Sequence, residues 1–213
     1  MKQMMGNLNG LQEQIDSTNL DVLIATTPQN FTYTTSSVVW TQRTGRLAMA
    51  VLPRKEDPSI LVAAQEQSYV EEQSWIKDVT SYVAHGPSPI LALRDLLNER
   101  GLSTGRIGME INSFPTEMHR ELVETLPEAE LVDCGPIFRN LRTIKTETEI
   151  ETLRSGAIAT ERALMATYAT IRAGDRERSV IGRLAGNMLQ NGADLPAFLF
   201  LTIGKNTDRK SVV

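Results

Sequence analysis

The sequence predicts an α/β fold over residues 1–140, with a mixed sheet flanked by helices, followed by a truncated α+β segment. Up to residue 140, short apolar runs suited to buried strands alternate with amphipathic helical segments. The formal charge also changes sign along the chain. Residues 1–140 hold 11 Lys and Arg against 18 Asp and Glu, whereas residues 141–213 hold 11 against 8. Beyond residue 141, two helical patterns and one strand-like run are too few elements to enclose a core.

The 213-residue chain has the composition of an ordinary globular protein, with 41% hydrophobic residues and a net charge of −4. With a pI near 5.3 it has no basic field to attract nucleic acid. No apolar run reaches the roughly 18 residues of a membrane span, and the N-terminus lacks the apolar stretch of a signal peptide. Cys134 is the single cysteine, which excludes an internal disulfide. We therefore expect a cytoplasmic protein without nucleic-acid or membrane partners.

Apolar runs bounded by turn residues mark the strands. Because proline lacks an amide donor, Pro53 is expected to end the second strand, and the Asp57-Pro58 turn after it predicts a hairpin to the third. In chain order the strands are expected at residues 21–25, 47–52, 60–62, 76–83, 106–110 and 130–133.

Four helical segments alternate with these strands. Leu8, Leu11 and Ile15 have helical spacing in the first segment. Gly101 ends the third segment, and Pro115 lies in the first turn of the fourth. The expected helices cover residues 2–17, 64–73, 89–100 and 115–126.

The pattern changes after residue 142. Thr146 and Glu149 have the spacing of a capping box, which predicts the start of a long amphipathic helix that Gly174 ends. Asp175 is expected to cap a second helix, which ends near Gly192. The apolar run at residues 198–203 predicts a buried strand.

Residue types that commonly carry catalysis are scattered. His85 lies in a loop with no nearby cysteine or paired carboxylate, and His119 follows Glu117 on a predicted helix; both are expected to be solvated. Cys134 has no identifiable activating base, so we expect a buried cysteine at a strand end. No phosphate-binding glycine motif occurs, and two histidines with one cysteine nearly rule out a Cys/His zinc site. The residues alone therefore predict no catalytic group and no metal ligand.

Several segments, in order, carry a family resemblance. Asn30 and Tyr33 resemble the family turn "N-x-x-Y-x-T-G", and residues 141–150 resemble the domain-joining segment "LR-x-I-K-(S/T)-x-x-E-(I/L)". Residues 74–78 with Tyr82, residues 106–110 and residues 171–174 resemble further family segments. The chain thus resembles the start of the Xaa-Pro aminopeptidases, prolidases and creatinases, the "pita-bread" metallopeptidases.

The resemblance implies a creatinase-like N-terminal domain at residues 1–141 and the incomplete start of a pita-bread catalytic domain at residues 142–207. It implies a parent enzyme that hydrolyses the peptide bond before proline with two divalent metal ions (Mn, Co or Zn). In the family two Asp, one His and two Glu hold these metals, all in the later part of the catalytic domain. This chain is therefore expected to bind no metal and to be inactive alone. A homodimer is expected as well. The parent's other partner would be a proline-containing peptide or a small molecule.

One family feature is replaced. The family turn often has Thr-Gly after the tyrosine, where this chain has Thr34, Thr35, Ser36 and Ser37, so any left-handed backbone there costs more. In relatives this region borders the neighbouring subunit's active site. Trp40 and Arg43 are accordingly candidates for a substrate rim, since an aromatic ring and a guanidinium together can hold a carboxylate or a peptide end. The alternative is an interface or surface pair without substrate contact.

Other functions stay open. Creatinase-type hydrolases and small-substrate lyases share the fold, and the residues that separate them lie downstream in the family. A non-catalytic dimerisation or binding module is the alternative of another class, although it would leave apolar helix stripes uncovered. One back-translation of residues 208–213 matches a common sequencing-library adapter, so we expect an adapter-derived tail; the alternative is a genuinely short gene.

Overall fold

The computed structural model describes residues 5–194, 198–202, 204 and 207; the expected tail at residues 208–213 lies outside them. The chain divides into two compact units, Met1–Thr148 and Glu149–Val213. Among the described residues, no helix is both long enough and apolar enough to cross a membrane.

The first unit is built on a six-stranded sheet with the strand order β4-β3-β2-β1-β5-β6. The pairs β1–β2 and β2–β3 are antiparallel, and β3–β4, β1–β5 and β5–β6 are parallel. The predicted mixed sheet is therefore confirmed, as is the hairpin of the second and third strands. The strands are β1 Val22–Ala25, β2 Met49–Pro53, β3 Ser59–Ala63, β4 Asp78–Tyr82, β5 Arg106–Met109 and β6 Glu130–Asp133.

Eight α-helices are present in the described part of the chain, two of which the sequence analysis missed. The helix at Pro28–Thr35 is rich in threonine, and the one at Gly135–Thr143 starts with Gly-Pro; both patterns are typical of turns. Burial of Phe31 and Phe138 overrides these preferences. The helices are α1 Leu8–Ser17, α2 Pro28–Thr35, α3 Gln67–Gln73, α4 Pro89–Glu99, α5 Thr116–Thr125, α6 Gly135–Thr143, α7 Glu147–Tyr168 and α8 Glu177–Gln190.

The sheet separates two apolar cores. Strand β1 shows the alternation: Leu23 packs in one core with residues of α1, α2 and α6, and Ile24 packs in the other with residues of α4 and α5. All four residues of β1 are buried, which places it at the centre of a sheet covered on both faces.

Two expectations about the helices after residue 142 are wrong. Helix α7 ends at Tyr168 and not at Gly174. Asp175 does not cap α8; its carboxylate instead accepts hydrogen bonds from the Arg172 amide at 2.9 Å and from the Arg183 guanidinium at 2.5 Å. These bonds tie Asp175 to the turn before the helix and to a residue inside it.

The buried strand expected at residues 198–203 is wrong for the part that the structure describes. Residues 198–202 have no regular structure, and residue 203 lies outside the described part. The Phe198 and Phe200 side chains are 80% and 73% exposed and stack with ring centroids 6.3 Å apart. A strand is stable only beside a partner strand, and the described residues of this unit contain no partner.

Candidate functional site

The two predicted rim residues lie together on a short 3₁₀ turn, Trp40–Thr44. The guanidinium carbon of Arg43 lies 4.7 Å from the centroid of the Trp40 ring, which is cation–π geometry. Both side chains are exposed. Arg43 forms no ion pair with any described residue. The pair thus presents a flat ring and an uncompensated positive charge to solvent, and its contact with substrate stays a prediction.

Hydrogen bonds from Gln42 and burial of Val39 hold the turn that carries this pair in place. The Gln42 side-chain amide donates hydrogen bonds to the carbonyl oxygens of Thr26 at 3.0 Å and Ala48 at 3.2 Å. These carbonyls flank the end of β1 and the start of β2. The buried Val39 side chain anchors the turn on the other side. Trp40 and Arg43 therefore project from a fixed backbone.

Ser36 occupies the position of the family glycine. Its φ is 61°, in the left-handed region, so the expected left-handed backbone is present and carried by a non-glycine residue. The Ser36 hydroxyl accepts a hydrogen bond from the Met5 amide at 2.7 Å, which offsets part of the strain.

A polar cavity of about 550 Å³ opens at the carboxyl ends of the parallel strands β1, β5 and β6. After β1 the chain enters α2 on one face of the sheet, and after β5 it enters α5 on the other. This divergence of neighbouring strands is where open α/β sheets form ligand crevices. The sequence analysis missed this cavity, whose charged lining residues are Glu110, Asp133, Arg139, Arg142 and Lys145.

Glu110 is the buried anchor of the cavity, with an exposed fraction of 4%. Its carboxylate accepts hydrogen bonds from the backbone amides of Thr26 at 2.6 Å and Thr27 at 2.8 Å, at the start of α2. The Thr27 hydroxyl and the Asn30 side-chain amide donate to its other oxygen at 2.7 and 2.6 Å. A buried carboxylate needs such donors, and the positive end of α2 adds to their effect. Glu110 therefore has a structural role.

Asn30 extends this network to α6. Its side-chain oxygen accepts a hydrogen bond from the Arg142 guanidinium at 3.1 Å. Glu110, Asn30 and Arg142 come from three of the sequence segments that carry the family resemblance. Those segments thus converge on one hydrogen-bond network.

Cys134 is buried and His85 is exposed, as expected, whereas His119 is less exposed than expected. The Cys134 side chain is fully buried just after β6. Burial, and then the charges of Glu110 and Asp133, raise the pKa of this thiol far above its ordinary value, so it is a poor nucleophile. The His85 ring lies 3.2 Å from the Arg46 guanidinium, and His119 is half-buried on α5. Within the described residues no group of three or more His, Cys, Asp or Glu could hold a metal ion.

Comparison with known proteins agrees with this architecture. The profile of the creatinase/prolidase N-terminal domain matches residues 8–144, and the chain belongs to this family. A creatinase of a Bacillus species is 25% identical over 80% of this chain and 41% of its own length. A Xaa-Pro dipeptidase of Lactobacillus delbrueckii is 22% identical over 94% of this chain and 54% of its own length.

The solved structure of the prolidase from Pyrococcus furiosus superposes with a TM-score of 0.73 at 22% identity, over 90% of this chain and 55% of the prolidase. This likeness shows the fold. The chain spans about half the length of the curated relatives it matches.

Proposed function

We propose that this chain is the N-terminal part of a Xaa-Pro metallopeptidase of the aminopeptidase P or prolidase type, whose complete form hydrolyses the peptide bond before proline. The family match over residues 8–144 carries the proposal. The Xaa-Pro dipeptidase relative, which aligns with this chain over little more than half its length, supports it.

We assign residues 1–141 to the N-terminal domain and residues 142–207 to the beginning of the pita-bread catalytic domain, with residues 208–213 as an adapter-derived tail. The parent enzyme is placed in the cytoplasm, since a single buried cysteine suits a reducing compartment.

The metal ions of the parent have no assigned ligand in this chain. The described residues contain no group of three or more His, Cys, Asp or Glu that could hold a metal ion, so no reaction step is assigned to them. We infer that this chain alone is inactive and that two divalent ions (Mn, Co or Zn) are held by the part of the parent that follows.

The role left to this chain is recognition. In a homodimer of the parent, the exposed pair Trp40 and Arg43 would border the neighbouring subunit's active site. The guanidinium would pair with the terminal carboxylate of a short peptide, and the indole would pack against its apolar side chains. The fixed 3₁₀ turn supports this role, because a preorganised contact costs little ordering entropy on binding.

The first test is to sequence the genomic locus beyond codon 207. We expect the frame to continue and to supply Asp, Asp, His, Glu and Glu in that order. The complete protein, loaded with Mn²⁺, Co²⁺ or Zn²⁺, should then cleave Xaa-Pro dipeptides, while the 213-residue chain should not. A reading frame that stops after Val213 in the native locus would contradict the proposal and favour a dimerisation or binding module.

Creatinase-type chemistry is the second candidate, because the Bacillus creatinase aligns with 80% of this chain. The complete protein should be assayed with creatine in parallel with Xaa-Pro dipeptides. Turnover of creatine without cleavage of dipeptides would replace the first candidate by the second.

A further inference from the structure

We propose that the cavity at the carboxyl ends of β1, β5 and β6 binds a small organic anion through a carboxylate or phosphate group. This inference goes beyond the peptidase activity and does not rest on it. It follows from the charges that line the cavity, from how those charges are paired and from the position of the cavity in the sheet.

Three cationic side chains converge on the cavity from α6 and the residues after it: Arg139, Arg142 and Lys145. None of the three forms an ion pair with a carboxylate in the described part of the chain. The Arg139 guanidinium makes no hydrogen bond there either, and the Lys145 ammonium donates only to the Thr143 carbonyl at 3.3 Å. The five charged lining residues have a net charge of +1, of which the carbonyl end of α6 offsets about half, so the cavity keeps a small positive charge and its cations have no carboxylate of the described residues bound to them.

The two acidic residues of the cavity are already engaged elsewhere. Glu110 is saturated by donors from the start of α2 and from Asn30. The Asp133 carboxylate accepts from the Gly135 amide at 3.0 Å and from the Asn112 side chain at 2.9 Å. Neither carboxylate forms an ion pair with an arginine in the described part of the chain, so both guanidiniums stay available for an external anion.

The size and chemistry of the cavity fit such a ligand. A volume of about 550 Å³ is within the range of small-molecule sites. Arg139 and Arg142 are three residues apart on one helix, so they lie on the same face and can bind one oxyanion together. The planar guanidinium matches carboxylate and phosphate oxygens in a bidentate manner. One hydrogen of Arg142 fixes this residue to Asn30, which limits the entropy lost on binding.

The test is an NMR titration of the 213-residue chain with inorganic phosphate and, separately, with citrate, at constant ionic strength. We expect saturable shifts of the Arg139 and Arg142 side-chain NH signals and of the Gly135 amide. Saturation by phosphate but not citrate assigns a phosphate ligand, and the reverse assigns a carboxylate. Arg139→Gln should weaken binding about tenfold, the value of one charged hydrogen bond.

Arg120→Gln is the matched control. Arg120 is also an exposed helical arginine without a hydrogen bond or ion pair to the described residues, and it lies on α5 outside the cavity. The Arg120→Gln substitution removes the same charge as Arg139→Gln, but outside the cavity, so it should leave the affinity for either anion unchanged. Shifts that grow linearly with both anions, or equal weakening by the two variants, would overturn the proposal.

Discussion

The Asn30 side chain accepts a hydrogen bond from Arg142, 112 residues away in sequence, while its amide donates to the buried carboxylate of Glu110. A single amide thereby joins the start of α2, the end of β5 and the C-terminal half of α6. Asn30 and Glu110 are buried and Arg142 is half-buried, so the loss of the Asn30 side chain leaves Glu110 with one donor fewer and Arg142 without this acceptor, which is costly in a low-dielectric environment.

Asn30→Ala should lower the free energy of unfolding by about 2–3 kcal/mol, since it removes a buried hydrogen bond to a carboxylate and a partly buried one from a guanidinium. Urea unfolding followed by tryptophan fluorescence measures this in the first unit, where both Trp40 and Trp75 lie. Asn140→Ala, on the exposed face of α6, is the control and should change stability by less than about 0.5 kcal/mol. Equal effects of the two substitutions would argue against the network.

Ser36→Gly and Ser36→Ala separate backbone strain from the hydroxyl. Both variants lose the hydrogen bond from the Met5 amide, but only glycine relieves the left-handed conformation. The glycine variant should be more stable than the alanine variant by about 1 kcal/mol. Thermal unfolding measures the difference. If alanine is as stable as glycine, this backbone conformation carries no strain.

The Cys134 thiol should resist modification in the folded chain. Because burial raises its pKa, it stays protonated at mildly alkaline pH, and its contribution to stability is complete below the ordinary cysteine pKa of about 8.5 and lost as the pH rises through the folded-state value. A Thr104→Cys variant supplies an exposed reference thiol in the same chain. Titration with a disulfide reagent at pH 8 should show one fast and one slow phase, with rates about a hundredfold apart. Two equally fast phases would contradict burial of Cys134.

Arg43→Gln in the complete protein should lower kcat/KM for a Xaa-Pro dipeptide about tenfold, mainly through KM, if Arg43 pairs with the substrate carboxylate. The Arg120→Gln protein, which loses the same charge on α5, should retain the parent kinetics. Tryptophan fluorescence checks that the 3₁₀ turn is intact. Unchanged kinetics in Arg43→Gln would show that Trp40 and Arg43 form an interface or surface pair without substrate contact.

Most of the sheet could be predicted from sequence because local patterns of apolar and turn-forming residues mark most of its strands. The run Val22–Ala25 is apolar over its whole length and is bounded by polar residues, and Ser59–Ala63 is apolar after its first residue. Helices α2 and α6 could not be predicted in this way. Their composition favours turns, and burial of Phe31 and Phe138 in the core outweighs this local preference.

The sequence by itself determined the order of the six strands in the chain, the family resemblance, and Trp40 and Arg43 as candidates, since these depend on local pattern and on motifs. Only the tertiary structure decided which charges are paired. Glu110 and Arg142 are 32 residues apart and look like ordinary polar residues in the sequence, yet one is a buried, saturated carboxylate and the other faces a cavity. Burial and hydrogen bonding are properties of long-range packing, which brings the ends of β1, β5 and β6 to one edge of the sheet.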